Sequence, residues 1–170
     1  SKKKVGAVFL DLKKAFDLVN HEKLLDCLYC AGFRGFCWDW LKSYLANRSQ
    51  FVQINSSRSG LVPTKHGVPQ GSVLGPLLLN IYINALFKIE LVSRIYCFAD
   101  DIAIICHADN VFNLNQCLQM DLDSLGNFVC GRNFVVSTKT KCMAFCSRNS
   151  GDFPVLDLTV CNVRIQQVTC

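Results

Sequence analysis

Acid stands in this chain where a buried core should continue. Ala7-Val8-Phe9-Leu10 is followed at once by Asp11, and Asp100-Asp101 lie between the apolar runs 95–98 and 102–105. Carboxylates beside a core are costly unless they are paired or bound to a cation, and adjacent aspartates repel one another. Singly, each acid is what any strand-end turn could carry. Together, on strands that can be neighbours in one sheet, they predict a cluster around hard, oxygen-ligated divalent cations. Three such carboxylates can hold two ions about 4 Å apart, the arrangement used for in-line phosphoryl transfer.

The rest of the composition narrows the class. With 170 residues, 51% hydrophobic and 18% charged, the chain can bury a core, is expected to form one domain and is not a disordered tail. A net charge of +5 is only a weak pull toward an anionic partner. Eleven cysteines, an odd number, without a secretory opening, predict reduced intracellular thiols acting as small apolar side chains. Cys27/Cys30 and Cys142/Cys146 have zinc-like spacing, but each pair needs a second pair to close a tetrahedral site. Cys27 and Cys30 also follow the helical rhythm of Leu24, Leu25, Leu28 and Ala31, so zinc is not expected. The most apolar stretch, 73–91, contains Pro76, Asn80, Asn84, Lys88 and Glu90, which argues against a membrane span.

Residues 5–10 read as a central strand covered on both faces. Asn20 caps a helix that carries Glu22 in its first turn and ends at Gly32. A second helix covers 36–45, with Phe36, Trp40 and Tyr44 along one side. Strands at 50–55 and 60–64 are joined by a polar turn at 56–59, and a loop at 67–71 precedes a helix over 72–89. Strands 94–98 and 102–106 form a hairpin with Ala99-Asp100-Asp101 at its tip. An amphipathic helix over 111–129, a strand at 140–146 and a terminal hairpin over 155–168, turning near Cys161-Asn162, complete the order. These elements predict an α+β fold of ferredoxin-like character, an antiparallel sheet with helices on one face.

Three motifs carry a resemblance. Ala7-Val8-Phe9-Leu10-Asp11-Leu12-Lys13-Lys14-Ala15-Phe16-Asp17 resembles the first palm motif of reverse transcriptases from non-LTR retrotransposons. Gly67-Val68-Pro69-Gln70-Gly71-Ser72-Val73-Leu74-Gly75-Pro76, continuing to Asn84, resembles their second motif, and Phe98-Ala99-Asp100-Asp101 the third. The detail is most similar to the jockey-like and related branches of the long interspersed elements, over residues 5–146 and more faintly 163–168.

The resemblance implies a polymerase palm with Asp11 and Asp100 as principal metal ligands, Asp101 as third carboxylate and the Leu12 carbonyl as a backbone ligand. It makes Phe16 the steric gate against a ribose 2′-hydroxyl, and sets Gln70 and Gly71 on the nucleotide and template side. Lys139, in Ser137-Thr138-Lys139-Thr140, resembles the fourth-motif lysine that protonates departing pyrophosphate. Leu79, Ala85, Ile102 and Val136 depart from residues frequent in the family (Phe, Asp, Thr and Asn), but none replaces a metal ligand.

By that resemblance the chain is an RNA-directed DNA polymerase core using two Mg2+ ions, for which Mn2+ could substitute. Its partners are an RNA template, a DNA primer, deoxynucleoside triphosphates and the rest of a retrotransposon polyprotein in cis, with no membrane involved. Residues 1–170 are expected to be a partial reverse transcriptase domain, the palm with its four motifs but neither fingers nor thumb, and the element is expected to act in the nucleus. The alternative is an inactive remnant with at most weak nucleic-acid binding. An RNA-dependent RNA polymerase on the same palm is disfavoured by Phe16, since such enzymes must admit the 2′-hydroxyl.

Overall fold

The structure, a computed structural model, describes residues 3–145 and 154–168. The chain begins with β1 (Lys4–Lys13), α1 (Ala15–Leu18), α2 (His21–Cys30) and α3 (Gly35–Leu45). Four short strands follow, β2 (Ser49–Gln50), β3 (Gln53–Ile54), β4 (Ser57–Arg58) and β5 (Val62–Pro63), then α4 (Leu74–Ile83) and a 3-10 turn (Asn84–Lys88). Next come β6 (Arg94–Phe98), β7 (Asp101–Ala108), α5 (Val111–Gly131), β8 (Val135–Val136) and β9 (Lys141–Phe145). The last elements are β10 (Thr159–Val160), β11 (Val163–Arg164) and β12 (Gln166–Val168). Where the sequence suggests one domain, the fold divides into two compact units: Ser1–Lys14 with Leu86–Cys170, and Ala15–Ala85.

The first unit is built on a sheet of order β12-β9-β1-β7-β6, with β8 beside β1. Its ladders are antiparallel except β12, which runs parallel to β9. The sheet is therefore mixed rather than wholly antiparallel. The terminal hairpin explains why: β10 and β11 are only two residues each, turning at Cys161 and Asn162, both at positive φ, and the chain then adds β12 to the edge.

From Val8 onward, burial alternates along β1. Val8, Leu10 and Leu12 are buried, and so are Ile102, Ile104 and Cys106 of β7, their neighbours on the same face. Against that face packs α5, whose Leu114, Leu118, Leu122, Leu125 and Val129 lose nearly all exposure. Each such leucine contributes roughly 1.5–3 kcal/mol of burial. Gly6 is needed for the approach, since a Cβ there would sit 2.9 Å from Leu118 Cδ1. The opposite face is open: Phe9 keeps 47% of its surface and Tyr96 51%. The expectation that β1 is covered on both faces is thus corrected; the helix covers one face only.

Helix α5 also binds an extended segment that periodicity does not announce. Pro154, Leu156, Leu158 and Val160 are buried at every second position. Asn115 accepts from Asp157 N–H (3.1 Å) and donates to the Val155 carbonyl (3.3 Å). One turn later, Gln119 accepts from Thr159 N–H (3.0 Å) and donates to its carbonyl (2.9 Å). The two amides act as a substitute ladder, satisfying backbone groups that no neighbouring strand reaches.

The second unit is helical. Asn20 caps α2 by accepting from Lys23 N–H (2.9 Å), and Gly32, at φ +100°, follows its last turn as predicted. Helix α2 packs on α3 and α4, burying Leu24, Leu28, Leu41, Leu45, Leu78 and Tyr82. The Phe36, Trp40, Tyr44 stripe exists, with Trp40 and Tyr44 stacked at 5.7 Å, but it faces outward; Phe36 is 84% exposed. The strands expected at 50–55 and 60–64 are each broken, giving two separate two-stranded ladders, β2-β5 and β3-β4. The second turns at Asn55-Ser56, not 56–59, because Asn55 adopts φ +54°, a left-handed conformation asparagine tolerates. The helix expected over 72–89 starts at Leu74 and tightens into the 3-10 turn at Asn84.

The cysteines divide as well. Cys106 and Cys142 behave as small core residues, whereas Cys30, Cys37, Cys130 and Cys161 are exposed, against the expectation for the thiols as a set. Cys146 lies outside the described residues. Among the described residues no helix is long and apolar enough to cross a membrane.

Candidate active site

Strand register brings two of the acids together. Asp11 at the end of β1 and Asp101 at the start of β7 are direct partners across the ladder, so their side chains leave the same face of the sheet. That face is the open one. Asp100 lies with Ala99 in the two-residue connection between β6 and β7, where Ala99 takes φ +53°, a sign of the primed hairpin turns. The tip is therefore Ala99-Asp100, and Asp101 already belongs to the strand.

A cleft of about 550 Å³ sits on this face, lined among others by Phe9, Asp11, Tyr96, Phe98, Asp101 and Lys139. Asp100 is not among its lining residues. Among the described residues no three His, Cys, Asp or Glu side chains gather closely enough to hold a metal ion. The structure thus shows a facing pair with a third carboxylate next along the chain. Asp100 sits in the turn rather than on the ladder, so the register that makes Asp11 and Asp101 face each other does not fix its direction.

The donor set nevertheless suits a hard cation. Carboxylate oxygens only accept, and among the described residues none of the three has an ion-pair partner. A backbone oxygen is at hand too. The Asp11 carbonyl accepts from Ser137 N–H (2.8 Å), on the β8 side of β1. Carbonyls alternate along a strand, so that of Leu12 faces the β7 side, beyond Asp101, where the ladder has ended.

Ser137 and Thr140 are neighbours of Asp11 that the motifs do not announce. Thr140 Oγ1 accepts from Asp11 N–H (3.2 Å), and Thr140 N–H donates to the Ser137 carbonyl (3.1 Å). Lys139 N–H donates to Ser137 Oγ (3.1 Å), and Ser137 and Thr140 are both buried. One tight turn therefore fixes the backbone of Asp11 and carries exposed Lys139 into the same cleft. The only signal was a hydroxyl on either side of a lysine, which any polar turn can show.

The remaining predicted site residues belong to the helical unit. The Phe16 carbonyl accepts from Val68 N–H (2.8 Å), and the Phe16 side chain is half-buried. Gly67, at φ +89°, lies so close to α1 that a Cβ would stand 3.1 Å from the Asp17 carbonyl oxygen. Its own carbonyl is 2.7 Å from His21 Nε2, and its N–H donates to the Val19 carbonyl (2.7 Å). Exposed Gln70 donates to Asp17 Oδ1 (2.8 Å), and Gly71 is exposed at φ +78°. The loop that carries Gln70 and Gly71 is thus clasped to the segment that carries Phe16. A cavity in this unit, lined by Leu28, Phe36, Trp40, Leu74 and Leu77 among others, offers no carboxylate or base.

These features define a palm-like sheet with acids at the ends of its two central strands. The chain belongs to the reverse transcriptase (RNA-dependent DNA polymerase) family, whose model matches residues 1–158. Among its relatives are the probable RNA-directed DNA polymerase from transposon BS of Drosophila melanogaster, 37% identical over 59% of this chain. The RNA-directed DNA polymerase from mobile element jockey of the same fly is 29% identical over 91% of this chain. The match covers 12% of the first relative and 17% of the second, so this chain spans a small part of their length. The expected kinship with jockey-like mobile elements is borne out. Among solved structures, a Candida tropicalis telomerase truncated from its C-terminal domain superposes with TM-score 0.65 at 15% identity, over 94% of this chain and 35% of that one. The same enzyme in complex with a fragment of telomeric RNA gives 0.65 at 14% identity, over 89% and 27%. These likenesses bear out the α+β palm fold.

Proposed function

We propose that this chain is the palm of an RNA-directed DNA polymerase of a non-LTR retrotransposon, which joins a deoxynucleotide to a primer 3′-hydroxyl on an RNA template. The observation that carries the reading is the Asp11–Asp101 register on an open, aromatic-lined face with Lys139 in the same cleft. Asp11, Asp100, Asp101 and the Leu12 carbonyl would hold two Mg2+ ions, or Mn2+ in their place; bound there, such ions activate the attacking hydroxyl and offset charge developing on the phosphate. Lys139 supplies a proton to the leaving pyrophosphate. Thr140 and Ser137 keep the Asp11 backbone in place, so the carboxylate enters the reaction already oriented.

Phe16 excludes the ribose 2′-hydroxyl, while Gln70 and Gly71 meet the nucleotide and template. The small share of each relative that this chain matches supports assigning fingers, thumb and further activities to other parts of the polyprotein. The nucleus, as the site of action, follows from the family resemblance alone. The test is primer extension on an RNA template with magnesium and deoxynucleotides, the chain being joined to the flanking segments of its element. Product that disappears in Asp100→Asn supports the reading. Absence of product, or product indifferent to that change, rejects it. Nucleic-acid binding that is nil even at low salt would reject the binding role too, since phosphate contacts are strongest there.

A further inference from the structure

Away from the cleft, two thiols meet on the surface of the sheet unit. Cys130 lies in the last turn of α5, and Cys161 opens the turn between β10 and β11 at φ +47°. Their sulfurs are 3.5 Å apart, and both residues are exposed. A disulfide needs about 2.05 Å, so the sulfurs must close by well under the reach of one rotamer adjustment. The approach is arranged by Gly126, one helical turn before Cys130. A Cβ at Gly126 would stand 3.3 Å from the Cys161 sulfur, and Cys161 Sγ donates weakly to the Gly126 carbonyl (3.7 Å). A small residue on the helix, a left-handed turn and two thiols thus converge at one point.

We propose that Cys130 and Cys161 form a reversible disulfide modification site, closed by a peroxide and reopened by a thiol reductant. Burial of its sulfur, then the neighbouring Cys130, pushes the Cys161 thiol up to about 11. The two thiols are coupled, and either can be oxidised first with the same products. With Cys130 first, its sulfur attacks the peroxide, the O–O bond breaks, one water leaves and a sulfenic acid remains. The Cys161 sulfur then attacks that sulfur; the S–S bond forms, the S–O bond breaks, and the oxygen departs as water with the Cys161 proton. Two thiols and one hydrogen peroxide give one disulfide and two waters. The bond staples the end of α5 to the hairpin that leads into β12, with no demand on Asp11, Asp101 or Lys139.

The experiment treats the chain with hydrogen peroxide, blocks remaining thiols and maps linked peptides by mass spectrometry, with thermal melting followed in parallel. A Cys130–Cys161 linked peptide that vanishes on reduction is expected, with a melting temperature higher by several degrees, because the link restricts the unfolded chain. Cys130→Ser, on an exposed residue, should abolish both effects, and Cys37→Ser should abolish neither. The proposal is overturned if peroxide oxidises exposed Cys37 but no Cys130–Cys161 peptide appears. It is equally overturned if the melting rise survives in Cys130→Ser.

Discussion

In the sheet unit, Asp11 and Asp101 face each other because a ten-residue strand pairs in continuous register with β7 and is packed from below by α5. In the helical unit, Gln70 owes its position to one side-chain hydrogen bond from an exposed loop, and Gly67 to a conformation that few residues adopt. The first arrangement makes side-chain direction a property of the ladder, so the acids can be replaced without disturbing the fold. The second makes the loop's shape depend on the residues that compose it. Chemistry that must be aimed accurately suits the rigid unit, and parts that must accommodate a substrate suit the other.

The contrast predicts its own failures. The largest effect is expected for Asp101→Asn, which should lower primer extension by at least about 10³-fold, since metal-borne charge stabilisation is worth several kcal/mol. Its urea unfolding midpoint should stay that of the parent, and a lowered midpoint would break the claim that the acid is carried passively by the ladder. Leu118→Ala removes a fully buried side chain beneath β1 and should cost about 2–5 kcal/mol in urea unfolding. Gly67→Val adds a β-branched side chain at φ +89° beside the Asp17 carbonyl and should cost about 1–3 kcal/mol. A neutral result there would mean that the loop is not clasped to α1. Gln70→Ala should be the mildest for stability, within about 1 kcal/mol, because its bond to Asp17 is exposed. If Gln70→Ala destabilised as much as Leu118→Ala, the two units would not differ as described.

A fifth substitution tests how the sheet unit holds Asp11. Thr140→Val keeps the shape of a buried residue but removes the acceptor for Asp11 N–H. It should cost about 1–3 kcal/mol through an unsatisfied buried donor and also reduce primer extension. Thr140→Ser, which restores the oxygen, should recover most of both.

Much of this was legible in the chain. The apolar runs around Asp11 and Asp100-Asp101 reported strands ending in acid, and the leucine spacing of α5 reported its buried face. The capping asparagine at 20 and the glycine at 32 marked the limits of α2. The failures have a common form. The packing of residues 154–160 along α5 is not legible in the sequence because Asn115 and Gln119, which bind them, look like ordinary polar surface. Phe9 in an apolar run looked buried, and Phe36 and Trp40 shared a stripe without facing a core.

Local pattern determined where strands, caps and acids fall, because those depend on side-chain period and on single-residue backbone preferences. Which face of β1 is covered, that Asp11 meets Asp101 rather than Asp100, and that β12 returns parallel to β9 were decided only by tertiary pairing. Register and the choice of covered face are properties of two segments at once, and no single stretch of residues contains them.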